Sequence, residues 1–303
     1  MSLALDPPAW LWIACTVAGA GVQTARNAMQ RSLTDRLGTV GATHVRFLFG
    51  LPFGLAFLAA MALAVDLSPL RPGAAFAAWT FAGGMFQILG TALMLAAMQS
   101  RSFVVSIAYV KTEPVQIALF GLVFLGEHLS MPATVAVIVA TCGVLLMSIS
   151  ERQGPAGTRA AMLGVASGAM FALSAVGFRG GILALGEAPF YARATATLAA
   201  SLAMQTAVLT GWLLWRDRRV LVAIFRLWRP SLLAGAAGAL ASQLWFLAFS
   251  LQTAAAVRTV ALVEILFAQA VSRRLFAQRA SRREAIGMAL MVGGVLALLW
   301  AAA

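Results

Sequence analysis

The sequence predicts an all-α membrane protein whose ten transmembrane helices form two inverted five-helix repeats. Three observations predict this fold class: the composition, ten long apolar runs, and the distribution of arginine between those runs. Hydrophobic residues make up 61% of the 303 residues and charged residues only 11%, whereas soluble domains have roughly 45–50% and 25%. A soluble fold of this composition could not cover itself with polar surface. Long apolar runs without period-two alternation favour helices over a membrane barrel.

Ten apolar segments are long enough to cross the hydrocarbon core, which takes about 20 helical residues. The gaps between these segments leave no room for a soluble domain. No basic leader or cleavage site precedes the first segment, so a retained helix is expected there rather than a signal peptide. The segments are 10–30, 43–65, 74–99, 103–125, 131–149, 160–181, 191–214, 231–251, 253–276 and 285–302.

The two halves of the chain match when one is shifted by 151 positions. This shift superimposes residues at the same places relative to the fourth and fifth helices of each half. The matched pairs are Glu113 with Glu264, Glu127 with Gln278, Ser130 with Ser281 and Gly143 with Gly294. A single shift that holds over about 30 residues predicts an internal repeat, with residues 1–150 and 158–303 as its two copies.

Arginine dominates the formal net charge of +12, and Lys111 is the only lysine. The arginines concentrate in the gaps after the first, third, fifth, seventh and ninth segments, so these gaps are expected to be cytoplasmic and both termini periplasmic. Gaps at equivalent places in the two halves differ in arginine content: where one half has few arginines, the other has many. This reversal is required when each copy has an odd number of helices, because the second copy is then inverted in the membrane. Positive-inside topology and anionic lipid account for the arginines, so no nucleic-acid partner is expected. Inverted repeats with a site at mid-membrane are typical of secondary transporters.

The fourth helix ends in the run ALFGLVFLGE (Ala118–Glu127), and arginines open the second and seventh helices (Arg46 and Arg193). Together with the ten helices in two repeats, these features resemble the EamA-type drug/metabolite transporter superfamily. Within it, the run YVKTEP (Tyr109–Pro114) is similar to the bacterial aromatic amino-acid exporter branch. The resemblance implies a central cavity lined mainly by helices one, three, four, six, eight and nine, with alternating access and export of small metabolites. The first helix carries Gln23 where the small multidrug exporters of the superfamily carry an acid, so their proton antiport does not carry over.

Three ionisable side chains fall well inside predicted helices, where a charge is costly and marks a functional site by default. Glu113 and Glu264 are expected near the bilayer midplane. Lys111 is expected to face away from Glu113, because residues two apart do not share a helix face, and Pro114 frees a backbone carbonyl one turn earlier. The alternative is structural: Glu113 pairs with Lys111 or Arg258 and holds helices together. Glu264 is expected to pair with one of the same two cations.

Polar and aromatic side chains on predicted inward faces complete the candidate site. Tyr109 shares a face of the fourth helix with Glu113, and Gln23 is the deepest polar side chain on one face of the first helix. Trp245 and Phe171 are suited to an apolar wall, and with Gln23 and Tyr109 they are expected to line one central cavity. The alternative for each is packing between helices. The predicted substrate-binding residues are Gln23, Gln87, Tyr109, Lys111, Glu113, Phe171, Gln243, Trp245 and Glu264.

We predict a secondary transporter, not an enzyme, that exports small metabolites, above all amino acids, across a bacterial-type inner membrane. The sequence shows no metal-binding cluster, nucleophile–base pair or phosphate-binding loop, so no metal or cofactor is expected, and the expected partners are a small-molecule substrate and the bilayer. An exporter of hydrophobic drugs is the alternative within transport, and a channel or an intramembrane enzyme are alternatives from other classes. Internal pseudo-symmetry favours a functional monomer over an oligomeric pore. Cys15 and Cys142 are interpreted as packing residues without a disulfide.

Overall fold

The computed structural model describes residues 7–100, 109–148, 155–267 and 282–301, and in these ranges the chain forms helices and no β-strand. The helices are α1 (Leu11–Leu48), α2 (Leu51–Ala64), α3 (Ala74–Ser100), α4 (Glu113–Leu125), α5 (Met131–Ser148), α6 (Pro155–Leu183), α7 (Phe190–Arg216), α8 (Arg218–Arg226), α9 (Trp228–Leu251), α10 (Ala254–Val260) and α11 (Arg282–Ala301), with a 3₁₀ turn at Ala261–Val263.

Each of the ten predicted apolar segments coincides with helix over all or part of its length. Among the described residues, five helical stretches are long and apolar enough to cross a membrane, and three shorter helices are apolar. The predicted positions 103–108, 149, 268–276 and 302 lie outside the described residues, as do Gln278 and Ser281. The predicted all-α class is therefore confirmed.

A helical extension, not a loop, follows the first predicted segment. α1 continues past Gln30 through Arg31 and Arg36, which hydropathy assigns to a cytoplasmic gap, and it is interrupted at Gly38 (φ 68°, ψ 173°). Glycine adopts this positive φ without a Cβ clash. The side-chain amide of Gln30 donates to the carbonyl of Ala42 at 2.9 Å, although twelve residues of straight helix span about 18 Å. The chain therefore turns back at Gly38.

The described helices form two compact units, and each unit draws on both predicted repeats. The first unit comprises residues 1–85 and 177–252, and the second comprises residues 86–176 and 253–303. In the first unit α1 packs along α9, and α7 packs against α2 and α9. In the second unit α5 packs along α11, and α10 packs against α4. Compact packing thus divides the chain differently from the repeat boundaries, which stay a prediction.

The α5–α11 contact is built on two glycines that let the backbones approach closely. A Cβ at Gly143 would lie 2.6 Å from the carbonyl oxygen of Gly287, and a Cβ at Gly294 would lie 2.8 Å from that of Ala136. Gly143 and Gly294 are 151 positions apart, and so are Ala136 and Gly287. The contact is therefore reciprocal under the shift found in the sequence, as contacts across a two-fold axis are.

The end of α4 explains the Leu-Gly-Glu ending of its sequence. Gly126 adopts a left-handed conformation (φ 64°) directly after the helix. The N–H of Glu127 donates to the carbonyl of Gly121 at 3.1 Å, the long-range hydrogen bond of a Schellman cap. The carboxylate of Glu127 folds back over the last turn, since a Cβ at Gly121 would lie 3.5 Å from its Oε2 atom. The cap thus fixes a carboxylate at the end of this helix.

Candidate functional site

Both glutamates at the predicted midplane begin a helical segment that follows a break in the helix. Tyr109 and Val110 are helical, the next two residues form a turn, and α4 begins at Glu113. Pro114 lies in the first turn of α4 and lacks the N–H that would continue the helix from the preceding segment. In the second half, α10 ends in the 3₁₀ turn Ala261–Val263, and helix resumes at Glu264. The two breaks are therefore related by the same shift of 151 positions.

Two ion pairs connect the residues around these breaks. The ammonium of Lys111 is bonded to Oε2 of Glu264, and Nε of Arg258 lies 3.2 Å from Oε1 of Glu113. The four residues are only 4%, 1%, 7% and 3% exposed in that order. Each predicted repeat supplies one cation and one carboxylate, and each bridge runs from one repeat to the other. We call Lys111, Glu113, Arg258 and Glu264 the charge cluster; its formal charges sum to zero.

The pairing bears on the interpretations of these residues, and their substrate-binding role stays a prediction. Glu264 binds Lys111, as expected from the sequence. Glu113 contacts Arg258, which is the structural alternative considered for it. Lys111 contacts Glu264 and Glu113 contacts Arg258, so both positions reach residues around the second break.

A half-buried polar stripe runs along α4 beside the charge cluster. The Gln116 amide donates to Oγ1 of Thr112 at 3.1 Å, and that hydroxyl donates to the carbonyl of Tyr109 at 3.0 Å. Glu113 was expected on the same face as Tyr109, but it is buried while Tyr109, Thr112 and Gln116 are half-exposed. Thr112, and not Glu113, therefore shares the half-exposed face with Tyr109 and Gln116.

Two further candidates in the second unit take part in packing. Phe171 is buried, and its ring lies 3.1 Å from where a Cβ of Gly90 would be. The Ser167 hydroxyl donates to the carbonyl of the same glycine at 2.7 Å. Gln87 lies on α3 one turn before Gly90 and is also buried. Phe171 therefore lies where α3 and α6 touch, and a substrate-binding role for Phe171 and Gln87 stays a prediction.

In the first unit, a hydrogen bond joins two candidates on α1 and α9. The indole N–H of Trp245 donates to Oε1 of Gln23 at 3.0 Å, and the ring stacks on Phe249 with centroids 6.4 Å apart. Gln243, on the same helix, donates through its amide to Oγ1 of Thr195 at 2.9 Å. Its carbonyl oxygen is buried without a hydrogen bond. Leaving a buried acceptor without a hydrogen bond is costly, so this oxygen is suited to accept a hydrogen bond from a ligand.

The first unit also contains two buried arginines that sequence reasoning did not select. Arg26 and Arg46 are 2% and 3% exposed, and both side chains lie within 4 Å of where a Cβ of Gly238 would be. The guanidinium of Arg46 donates to the hydroxyl of Ser242 at 3.2 Å. The sequence does contain a signal for Arg26: it follows Gln23 by three positions and therefore lies on the same face of the first helix.

The nine predicted residues are divided between the two units. Gln23, Gln243 and Trp245 belong to the first unit, and the remaining six belong to the second. The structure brings together Gln23 with Trp245 and Lys111 with Glu264. A single cavity lined by Gln23, Tyr109, Phe171 and Trp245 stays a prediction.

Part of the chain matches a known protein family. Residues 9–149, nearly all of the first predicted repeat, match the model of the EamA-like transporter family. This match confirms the predicted resemblance to the EamA-type transporters, while the aromatic amino-acid exporter branch stays a prediction. Residues 9–149 are thus similar to a family of small-molecule transporters, and the long apolar helices indicate a multi-pass membrane protein.

Similarity of fold extends beyond the first repeat. A protein of known crystal structure is similar with a TM-score of 0.67, at 16% identity, over 96% of this chain and 96% of its own. At this identity the likeness concerns the fold alone. No curated protein matches the sequence.

Proposed function

We propose that the chain is a secondary transporter that exports small metabolites, most of all amino acids including aromatic and hydrophobic ones, by alternating access. The observation that carries the proposal is the charge cluster at two related helix breaks. Intramembrane charges and discontinuous helices mark substrate and ion pathways in transporters. The second unit contains both features at the same residues.

The chemistry of the charge cluster suits a zwitterion. A free amino acid carries one cationic group and one carboxylate, and Arg258 and Glu113 already present a cationic guanidinium and a carboxylate to each other at 3.2 Å. A substrate can exchange with this pair, its ammonium meeting Glu113 and its carboxylate meeting Arg258, without leaving a charge unpaired. Buried charges that lose a partner are strongly destabilised, so an incoming zwitterion is favoured over a molecule with a single charge.

The polar stripe on α4 gives the substrate its first contacts. Tyr109, Thr112 and Gln116 are half-exposed and begin directly beside the break. The Gln116 carbonyl oxygen is buried without a hydrogen bond and can accept from an ammonium group. These contacts are polar, whereas a purely hydrophobic drug would offer them no donor.

The related breaks also suit alternating access. Inverted repeats exchange inward and outward states when one repeat rocks against the other around a fixed site. The reciprocal Gly143 and Gly294 contacts and the matched positions of Glu113 and Glu264 support this symmetry. We place the protein as a monomer in a bacterial-type inner membrane, with both termini in the periplasm.

Counterflow in liposomes tests the proposal. Purified protein is reconstituted with an excess of unlabelled L-phenylalanine inside, and uptake of labelled L-phenylalanine is measured. Transient, saturable uptake is expected, and it should be lost when the internal amino acid is replaced by 3-phenylpropionate, which lacks the ammonium. Ohmic single-channel current, or counterflow of hydrophobic drugs without counterflow of amino acids, would overturn it in favour of a channel or a drug exporter.

A further inference from the structure

A groove runs along the outer surface of the second unit between α4 and α5. One wall is formed by Val115, Leu119 and Leu122 of α4, and the facing wall includes Ile138 of α5. Glu127 and His128, in the connection between the two helices, close one end. The groove holds about 280 Å³; we call it the α4–α5 groove.

The walls of the α4–α5 groove face the hydrocarbon of the bilayer. Leu119 is 58% exposed and Ile138 is 47% exposed, in helices of a chain that spans the membrane. Apolar side chains with this exposure are covered by lipid in a membrane protein. The groove is therefore open to acyl chains along its length.

The end of the α4–α5 groove has a different chemistry. α4 stops at Leu125, and the following Glu127 and His128 lie where the span gives way to the headgroup region. The Schellman cap at Gly126 turns the carboxylate of the half-buried Glu127 back over the last turn of α4, so this charge is held at the groove. A carboxylate and the exposed imidazole of His128 thus lie at the mouth of an apolar groove.

The dimensions fit a lipid chain. The seven-residue rise from Val115 to Leu122 is about 10 Å of helix, which is the outer part of one leaflet of a hydrocarbon core roughly 30 Å thick. The hydroxyl of Thr134, which also lines the groove, already donates to the carbonyl of Ser130 at 3.1 Å. This hydroxyl has no second proton to donate, so the charged and ionisable side chains that line the groove, Glu127 and His128, both lie at its mouth.

We propose that the α4–α5 groove is a binding site for a phospholipid with a primary ammonium headgroup, as in phosphatidylethanolamine. One acyl chain lies along Val115, Leu119 and Ile138. The headgroup ammonium donates to the Glu127 carboxylate, and an N–H of His128 donates to a phosphate oxygen. A quaternary choline headgroup has no N–H to donate, and a glycerol headgroup has no positive charge, so both fit the mouth less well.

Native mass spectrometry of the delipidated, detergent-solubilised protein tests the acyl-chain contact. Leu119→Trp fills the groove, and Leu296→Trp is the matched control, since Leu296 is 60% exposed on α11 and lies outside the groove. Titration with dioleoylphosphatidylethanolamine should give about tenfold weaker binding in L119W, or 1.4 kcal/mol, and no change in L296W. Equal binding by the two variants overturns the proposal, as does a protein dimer that only L119W abolishes.

A second comparison tests the headgroup contact. Wild-type protein should bind the ethanolamine lipid in preference to the matched phosphatidylcholine and phosphatidylglycerol. Glu127→Gln should remove this preference, while Glu187→Gln, an exposed acid in another connection, should retain it. Equal binding of the three lipids by the wild type, or a preference that survives E127Q, overturns the headgroup assignment. The melting temperature of each variant confirms folding, and because binding is measured without transport, the result stands apart from the proposed function.

Discussion

Glu113 and Glu264, 151 positions apart, each begin a helical segment after a break, and each contacts the cation that precedes the other glutamate in the sequence. The carboxylates occupy matching positions, but the cations do not. Lys111 precedes its neighbouring glutamate by two positions and Arg258 by six, about one helical turn further. The two bridges are therefore related but chemically distinct, one built on an ammonium and one on a guanidinium. They can be tested separately.

Removing the charge of Glu264 should destabilise the protein. Glu264→Gln leaves the ammonium of Lys111 buried without its carboxylate, and breaking such a pair costs about 3–5 kcal/mol. We expect a lower melting temperature and less folded protein after purification. The double variant Lys111→Met with Glu264→Gln removes both charges and should recover most of the loss. A single variant as stable as the wild type would show that this bridge contributes no stability.

Variants of Glu113 and Arg258 should affect the melting temperature and the transport activity differently. Glu113→Gln alone leaves the buried Arg258 without its carboxylate, so both melting temperature and transport should fall. Pairing it with Arg258→Gln restores neutrality and should raise the melting temperature towards the wild type. Transport of L-phenylalanine in liposomes should stay low in the double variant, because neither substrate charge then has a partner. Normal counterflow in the double variant would rule out substrate contact and leave these residues a structural role.

Two adjacent glycines on α11 should respond oppositely to the same change. In Gly294→Ala the new Cβ would lie 2.5 Å from the backbone nitrogen of Ala140, so the helices must move apart, at about 1–3 kcal/mol for overpacking. In Gly293→Ala the Cβ meets nothing within 4 Å, and helix propensity should stabilise by up to about 1 kcal/mol. Melting temperatures decide the comparison. If G294A melts no lower than G293A, close α5–α11 packing is not needed.

The polar stripe on α4 should be in contact with water. In a background with Cys15 and Cys142 replaced by serine, cysteine at Gln116 should react with a small water-soluble thiol reagent. Cysteine at Leu122, which is 43% exposed on the lipid-facing wall of the α4–α5 groove, should not react because thiolate forms poorly in hydrocarbon. L-Phenylalanine should slow labelling at position 116. The reverse order of reactivity would mean that the stripe is not part of an aqueous pathway.

The arginine distribution predicts the topology. A reporter that is active only in the cytoplasm should be silent at the C-terminus and active between α7 and α9, in residues 217–227, which carry Arg218, Arg219 and Arg226. Cells carrying each fusion give the comparison directly. An active C-terminal reporter would overturn the orientation and with it the inversion of the second repeat.

Hydropathy could predict the membrane helices but not where helix ends. The helical extension of α1 through Arg31 and Arg36 is polar, and a search for apolar runs stops before it. Its end at Gly38 depends on one backbone dihedral angle that only glycine adopts easily. The composition therefore predicts that a helix is present, whereas local backbone geometry determines how long that helix is.

Of the two helix breaks, only the first could be predicted from the sequence. Pro114 marks the first break in the sequence, because proline has no N–H to continue the helical hydrogen bonds. The second break falls in Ala261–Val263, three ordinary apolar residues, and has no such marker. Arg26 and Arg46 were missed as buried residues for a related reason: the positive-inside rule assigns arginine to membrane edges, and their burial against Gly238 depends on tertiary packing.

The neutrality of the charge cluster has an electrical consequence. A membrane potential acts on each charge that crosses it with about 2.3 kcal/mol per 100 mV. Each bridge carries one cation and one anion, so a bridge that shifts as a unit moves no net charge through the field. The voltage dependence of turnover would then report the charge of the cargo and of any accompanying ion alone. Current recorded during exchange of a zwitterion should accordingly be nil unless an ion travels with it.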